Sequence, residues 1–96
     1  MFDFETMIIM PPNLSDKTYL SVFSDIENFI KLQGGAVNKI ERWGNKYLAY
    51  ELNGSIYGYY ALITFEYPLQ DVSDIYKYLH SHEKILRNMI ISKEDR

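Results

Sequence analysis

The side chains that could support catalysis or metal binding are few in this sequence, and their spacing is unfavourable. His80 and His82 lie close together, but the chain has no cysteine and no regular set of carboxylates beside them, so we expect them at the end of a helix rather than on a metal. Gly34-Gly35, Gly54 and Gly58 lack the spacing of dinucleotide-binding or phosphate-binding loops. No two acids stand out as a pair in an apolar pocket, where their pKa values would separate. The sequence therefore predicts no enzyme, no cofactor and no small-molecule substrate.

The charged residues are segregated along the chain. The net charge is −3, which argues against a general polyanion binder because phosphate affinity comes from clustered Lys and Arg. Residues 31–49, however, contain four basic side chains and Glu41 as their one acid, and residues 77–96 contain five basic side chains and three acids. Two basic segments on an acidic protein are consistent with a confined RNA contact. Ordinary solvated charge is the simpler explanation when the charges are taken alone.

The composition indicates one compact domain that spans residues 1–96. Hydrophobic residues make up 47% of the chain and aromatic residues 16%, which is typical of globular proteins. No apolar run is long enough to cross a bilayer, and the first residues carry acids where a secretory or organellar presequence would carry bases. We therefore expect a soluble protein with no membrane partner.

Hydrophobic periodicity and turn residues predict six elements in the order β-α-β-β-α-β. Pro11-Pro12 ends the first strand, and the glycine pair Gly34-Gly35 ends the first helix. The predicted ranges are a strand over 2–10, a helix that begins after Ser15, a strand from 36 to about 52 bent at Gly44, a turn at Asn53-Gly54, a strand over 56–67, a helix from Asp71 or Ser73 to His80, and a strand over 85–91. This order is that of the ferredoxin-like α+β fold, a four-stranded antiparallel sheet with two helices on one face.

The face of the sheet without helices is expected to be available for binding. Side chains alternate along a strand, so if Ile8 faces the helices, Met7 and Ile9 face away from them. Tyr60 and Leu62 of the third strand face away by the same rule, and the four side chains would form an exposed apolar patch, which is typical of a partner site. The alternatives are that a loop covers the patch, or that the parity is off by one residue and these side chains belong to the core.

The third strand shows a partial likeness to an RNA-binding module. Residues 58–65 lie where the RNA-recognition motif carries the aromatic side chains that stack on bases. Tyr57 replaces the leading base of that motif, Ala61 replaces a central aromatic residue, and the first strand lacks a matching aromatic residue on its open side. Base stacking in the manner of that module is therefore the weaker interpretation, and core packing explains most of these tyrosines.

Ordered landmarks along nearly the whole chain resemble the bacterial ribosomal protein S6 family. Residues 4–14, FETMIIMPPNL, resemble the family's Tyr-Glu-x-Met start with its later Pro-x-Leu. The further landmarks are Gly34-Gly35, Trp43-Gly44, Leu48-Ala49-Tyr50, Gly58-Tyr59-Tyr60 and the segment from Ile85 to Met89. The resemblance implies a structural component of the small ribosomal subunit in the cytoplasm, which pairs with ribosomal protein S18 and binds the central domain of the small-subunit rRNA. An organellar ribosome remains an alternative, as does a stand-alone ferredoxin-like regulatory or ligand-binding module.

Strand parity and the resemblance together suggest contact residues. Those expected to contact rRNA are Phe4, Tyr50, Tyr60, Arg87 and Lys93, and those expected to contact the partner protein are Met7, Arg42, Trp43, Lys46 and Leu62. For Arg42, Trp43 and Lys46, the RNA backbone is the alternative contact. Arg87 would pair with phosphate, and the aromatic residues would stack on bases or sugars, although a core position stays open for each of them, above all for Phe4. The tract 45–47 has one base fewer than the family's usual pair, and the sequence stops at Arg96 where many relatives continue. We therefore expect less RNA contact at that tract and a smaller partner interface.

Overall fold

The computed structural model describes residues 1–93 and contains the six predicted elements in the predicted order. They are β1 (Phe2–Met10), α1 (Asp16–Leu32), β2 (Ala36–Leu52), β3 (Ser55–Tyr67), α2 (Ser73–Ser81) and β4 (Arg87–Ser92). Residues 94–96, the last part of the second basic segment, lie outside the described residues.

The largest difference from the predicted ranges is at β4, which begins at Arg87 rather than at residue 85. The Ile85 backbone N–H donates to the carbonyl of His82 at 3.1 Å, and the Leu86 N–H donates to the carbonyl of Ile9 at 2.8 Å. Residues 82–86 therefore form a turn that leads into the strand. The Ile85 side chain is buried in the core, which explains why it continues the apolar pattern of β4.

The four strands form one sheet in the order β2-β3-β1-β4, and each neighbouring pair is antiparallel. This arrangement confirms the predicted ferredoxin-like fold, with β2 and β4 at the two edges. The register of β2 against β3 shifts between Arg42 and Gly44, and Gly44 has a φ of 81°. This irregularity confirms the predicted bend. Glycine is suited to the position because it adopts positive φ without a steric penalty.

Both helices pack their apolar sides against the same face of the sheet. α1 begins where Ser15 Oγ accepts a hydrogen bond from the Thr18 N–H at 3.1 Å. Before α2, Asp71 Oδ1 accepts a hydrogen bond from the Ser73 N–H at 2.9 Å, which holds the pKa of the Asp71 carboxyl below its usual value. The buried side chains of the two helices are Tyr19, Val22, Phe23, Ile26, Ile30, Ile75 and Leu79. Within residues 1–93, neither helix is long and apolar enough to span a membrane.

The two central strands alternate between buried and partly exposed side chains. Their buried members, which lie beneath the helices, are Phe4, Thr6, Ile8 and Met10 of β1 and Tyr59, Ala61, Ile63, Phe65 and Tyr67 of β3. The side chains between them point to the opposite side of the sheet, which we call the open face. The predicted strand parity is therefore confirmed.

Candidate interaction surface on the open face

Cross-strand neighbours define what the open face presents. Its central rows, each read from β3 through β1 to β4, are Tyr60, Ile9 and Arg87; then Leu62, Met7 and Met89; then Thr64, Glu5 and Ile91. Met89 and Ile91 are 65% and 42% exposed. Sequence reasoning missed these two residues because the register of β4 against β1 depends on the folded sheet. The sequence did contain one signal for them: residues two apart on a strand lie on the same face of the sheet, so Met89 and Ile91 share a face.

The end of the β2-β3 hairpin covers part of the open face. A β-carbon built on Gly58 of β3 would lie 2.6 Å from Ile9 Cγ2 and 3.0 Å from Leu48 Cδ2, so Leu48 reaches over the glycine toward β1. An apolar groove of about 290 Å³ results between the hairpin and β4. We call it the open-face groove, and its main side chains are Met7, Ile9, Leu48, Tyr50, Tyr60 and Met89. The predicted patch is thus partly covered by the chain itself at this end and stays exposed toward Met89 and Ile91.

Arg87 stands at the rim of the open-face groove. Its guanidinium carbon lies 5.5 Å from the centre of the Tyr50 ring, which is a cation–π contact. Among residues 1–93, Arg87 takes part in none of the ion pairs, and Tyr50 is 54% exposed. The N–H groups of the guanidinium can therefore donate hydrogen bonds to a phosphate. The exposed part of the Tyr50 ring can contact a base or an apolar group.

Arg42 has a different environment, on the side of the sheet that the helices cover. Its Nε donates to the Tyr59 hydroxyl at 2.7 Å, and its guanidinium forms an ion pair with Asp16 at the start of α1. The hydrogen bond to Asp16 raises the pKa of Arg42 above its ordinary value. The guanidinium carbon also lies 5.8 Å from the centre of the Phe23 ring. Arg42 therefore joins β2 to α1 on the helix-covered side. Its predicted contact with the partner protein stays a prediction.

Four other predicted contact residues, Phe4, Trp43, Lys46 and Lys93, do not line the open-face groove. Phe4 is 4% exposed and stacks on Phe65 with ring centroids 5.6 Å apart, so it has almost no surface for RNA and we drop it from the expected contacts. Trp43 is 46% exposed at the β2 bulge, and the exposed Lys46 pairs with Gly58 on the open-face side. Lys93 is exposed just after β4, at the opposite end of that strand from Arg87.

Tyr50, Tyr60, Arg87 and Met7 are therefore the predicted contact residues that the fold brings together, around the open-face groove. Leu62 adjoins them through its pairing with Met7. The arrangement combines an apolar floor with one cation at its rim. Such a surface can bind a partner, and the part of the chain that the structure describes, residues 1–93, places no paired acid and base in the groove that could transfer a proton.

Comparison with known proteins identifies close sequence relatives over almost the full chain. The family model described as ribosomal protein S6 matches residues 3–92. The small ribosomal subunit protein bS6 of Dictyoglomus turgidum is 31% identical, with 99% of this chain and 100% of the relative covered. The bS6 proteins of Salinispora arenicola and Mycobacteroides abscessus are 31% and 32% identical, over 100% and 95% of both chains respectively.

A solved structure supports the fold independently of these sequence relatives. The crystal structure of 30S ribosomal protein S6 from Thermotoga maritima superposes with a TM-score of 0.86 and 23% sequence identity, and it covers 98% of this chain and 89% of its own. At that identity the similarity bears on the fold alone. The family match, the full-length relatives and the shared fold agree with the landmarks in the sequence, and the chain belongs to the ribosomal protein S6 family.

Proposed function

We propose that this protein binds the central domain of small-subunit rRNA together with ribosomal protein S18, as a component of the cytoplasmic ribosome with no catalytic activity. The observation that carries this proposal is the open face, where an apolar surface and the available guanidinium of Arg87 lie side by side on one sheet. A surface of that kind suits a chain held between another protein and RNA.

The apolar part of the open face supports the protein contact. Met89 and Ile91 are exposed on edge strand β4, and Met7 and Leu62 continue the row of Met89 across the sheet. Covering apolar surface stabilises a complex by about 25 cal/mol per Å² before the costs of association. Contiguous exposed apolar surface commonly marks a protein interface. Ribosomal protein S18 is the occupant that we propose for it.

The residues near the hairpin support the RNA contact. Arg87 and Lys46 supply positive charge on this part of the open face, and the exposed rings of Tyr50 and Trp43 lie on the same hairpin strand. Cations pair with phosphates, and aromatic rings stack on unpaired bases. Because each phosphate contact adds to the affinity, two cations predict weak RNA binding by the chain alone.

A binding experiment with purified components tests this function. Affinity for a central-domain rRNA fragment is measured by filter binding, with and without ribosomal protein S18. We expect weak binding by the chain alone and much tighter binding with S18 present, because two proteins then share the RNA surface. Equal affinity in the two conditions would contradict shared binding. Absence of rRNA affinity with S18 present, together with concentration-dependent dimerisation, would favour a stand-alone module instead.

A further inference from the structure

His82 fixes the turn that leads from α2 into β4. At the end of α2 its backbone N–H donates to the carbonyl of Tyr78 at 3.1 Å, and its own carbonyl accepts the N–H of Ile85 at 3.1 Å. Its ring adds a third bond, in which Nδ1 accepts the backbone N–H of Lys84 at 3.1 Å. This bond joins residues two apart, as in the turns that Asn and Asp side chains form with the backbone. The shape of the turn therefore depends on the imidazole.

The other ring nitrogen of His82 ties the turn to α1. A backbone N–H can only donate, so Nδ1 carries no proton and the ring proton is on Nε2. Nε2 lies 3.0 Å from Asp25 Oδ2 and donates to it. The His82 side chain is 13% exposed, and its ring makes an edge contact with Tyr78 at 6.1 Å between centroids. Because both nitrogens are bonded, the ring has one defined orientation.

The same turn delivers Arg87 to the open face. Residues 84–86, directly before it, each donate a backbone hydrogen bond: to the His82 ring, to the His82 carbonyl and to the carbonyl of Ile9 on β1. Arg87 is then the first residue of β4, and its guanidinium carbon lies 5.5 Å from the centre of the Tyr50 ring. The place of Arg87 beside the open-face groove is thus set by the turn as well as by strand pairing.

We infer that His82 is a positioning residue for the RNA contact, because its bond to the Lys84 N–H holds the turn in the shape that places the Arg87 guanidinium at the groove rim. This inference rests on the proposed function and deepens its RNA contact. The His82 ring bonds α1 on the helix-covered side, whereas Arg87 is on the open face, so His82 acts through Arg87. Without the bond, the turn would have to be ordered when RNA binds, and that cost lowers the affinity.

Two substitutions separate the two ring nitrogens. In His82→Asn the side-chain oxygen can accept from the N–H two residues on, as Nδ1 does, but the side chain ends before the position of Nε2. In His82→Gln the longer side chain can donate to Asp25 in place of Nε2, and the Lys84 N–H loses its acceptor. The same two substitutions at His80, an exposed residue of α2, are the matched controls.

The quantity measured is the affinity of the preformed pair with ribosomal protein S18 for a central-domain rRNA fragment, by filter binding over a series of salt concentrations. We expect His82→Gln to bind about two- to tenfold more weakly, with a salt slope that falls toward that of Arg87→Ala. His82→Asn and both His80 variants should bind like the wild type. In an Arg87→Ala background, His82→Gln should cause no further loss, because the two residues act as one unit. Urea unfolding checks that each variant is folded.

A further loss in the Arg87→Ala background would overturn the inference, since a role in stability alone would add to the loss of Arg87. Wild-type affinity in His82→Gln, or equal losses in the Asn and Gln variants, would do the same. If His82→Gln does not fold, a loss of RNA affinity in folded His82→Asn overturns the inference and wild-type affinity there supports it. In all these outcomes a wild type that binds S18 and rRNA still supports the proposed function, whereas a wild type that binds neither contradicts both.

Discussion

Arg42 and Arg87 lie on the two edge strands of one sheet, but their side chains lie on opposite faces and make different contacts. Arg42 is held by Asp16 and the Tyr59 hydroxyl on the helix-covered side. Arg87, on the open face, contacts the exposed ring of Tyr50 and takes part in none of the ion pairs among residues 1–93. The comparison shows that residue type alone does not identify a contact residue in this chain. The side of the sheet decides whether a cation stabilises the fold or remains available to a ligand.

The sharpest test of the two faces uses adjacent isoleucines. Ile8 is 0% exposed in the core, and Ile9 is partly exposed on the open face. We expect Ile8→Ala to lower the free energy of unfolding by about 2–5 kcal/mol, because it leaves a cavity in the core. Ile9→Ala should cost clearly less, because the open face can relax around it. Urea unfolding measures both, and equal losses would contradict the assignment of the two faces.

Gly58 tests how closely the hairpin packs on the open face. In Gly58→Ala, the new β-carbon would lie 2.6 Å from Ile9 Cγ2 and 3.0 Å from Leu48 Cδ2. We expect a loss of about 1–3 kcal/mol in the free energy of unfolding, the usual cost of overpacking. The same substitution in a Leu48→Ala background should cost less, because space has been made. A double-mutant cycle with no coupling between the two positions would show that the hairpin does not pack as described.

Arg42→Ala tests the internal role of the first arginine. Loss of the hydrogen bond to Tyr59 and of the exposed ion pair with Asp16 should lower the free energy of unfolding by about 1 kcal/mol. Tyr59→Phe should remove much of the same stabilisation, so the double variant should lose less than the sum of the two single losses. RNA affinity, measured by filter binding, should stay at the wild-type value. A fall in RNA affinity with stability unchanged would return Arg42 to the contact surface.

Arg87→Ala should have the smallest effect on stability and a specific effect on RNA binding. We expect the free energy of unfolding to change by no more than about 0.5 kcal/mol, as for other surface substitutions. Assembly with ribosomal protein S18 and rRNA should weaken, and the slope of log K against log salt should fall by about one, because one phosphate contact is lost. Lys77→Ala, an exposed cation on α2, is the matched control. An unchanged slope in the Arg87 variant would remove that residue from the RNA contact.

Local signals in the sequence predict most of the fold. Three of these signals involve only a few neighbouring residues: the double proline after β1, the serine before α1, and the alternation of side chains in β1 and β3. The structure confirms the elements that they predict. The start of β4 is the exception. Ile85 is apolar because it enters the core from a turn, not because it belongs to the strand. A pattern of apolar residues alone cannot separate these two causes.

The candidate site is less predictable because it depends on which strands become neighbours. Strand parity places Met7, Tyr60 and Leu62 correctly on the open face. The approach of Leu48 to Ile9 over Gly58 and the contact of Arg87 with Tyr50 join residues that are distant in sequence. The pairing of Arg42 with Asp16 likewise requires α1 to lie against the helix-covered side of β2. These contacts follow from the three-dimensional register, which no short segment of sequence contains.

Methionine oxidation tests most directly whether the open face is the surface covered in the ribosome. Met89 is 65% exposed on that face, and Met10 is 0% exposed in the core, so limited oxidation followed by mass spectrometry compares the two sides of the sheet in one experiment. We expect Met89 to be oxidised rapidly in the free chain and protected in the assembled small subunit, while Met10 resists in both states. Equal oxidation of Met89 in the free chain and in the subunit would contradict the account.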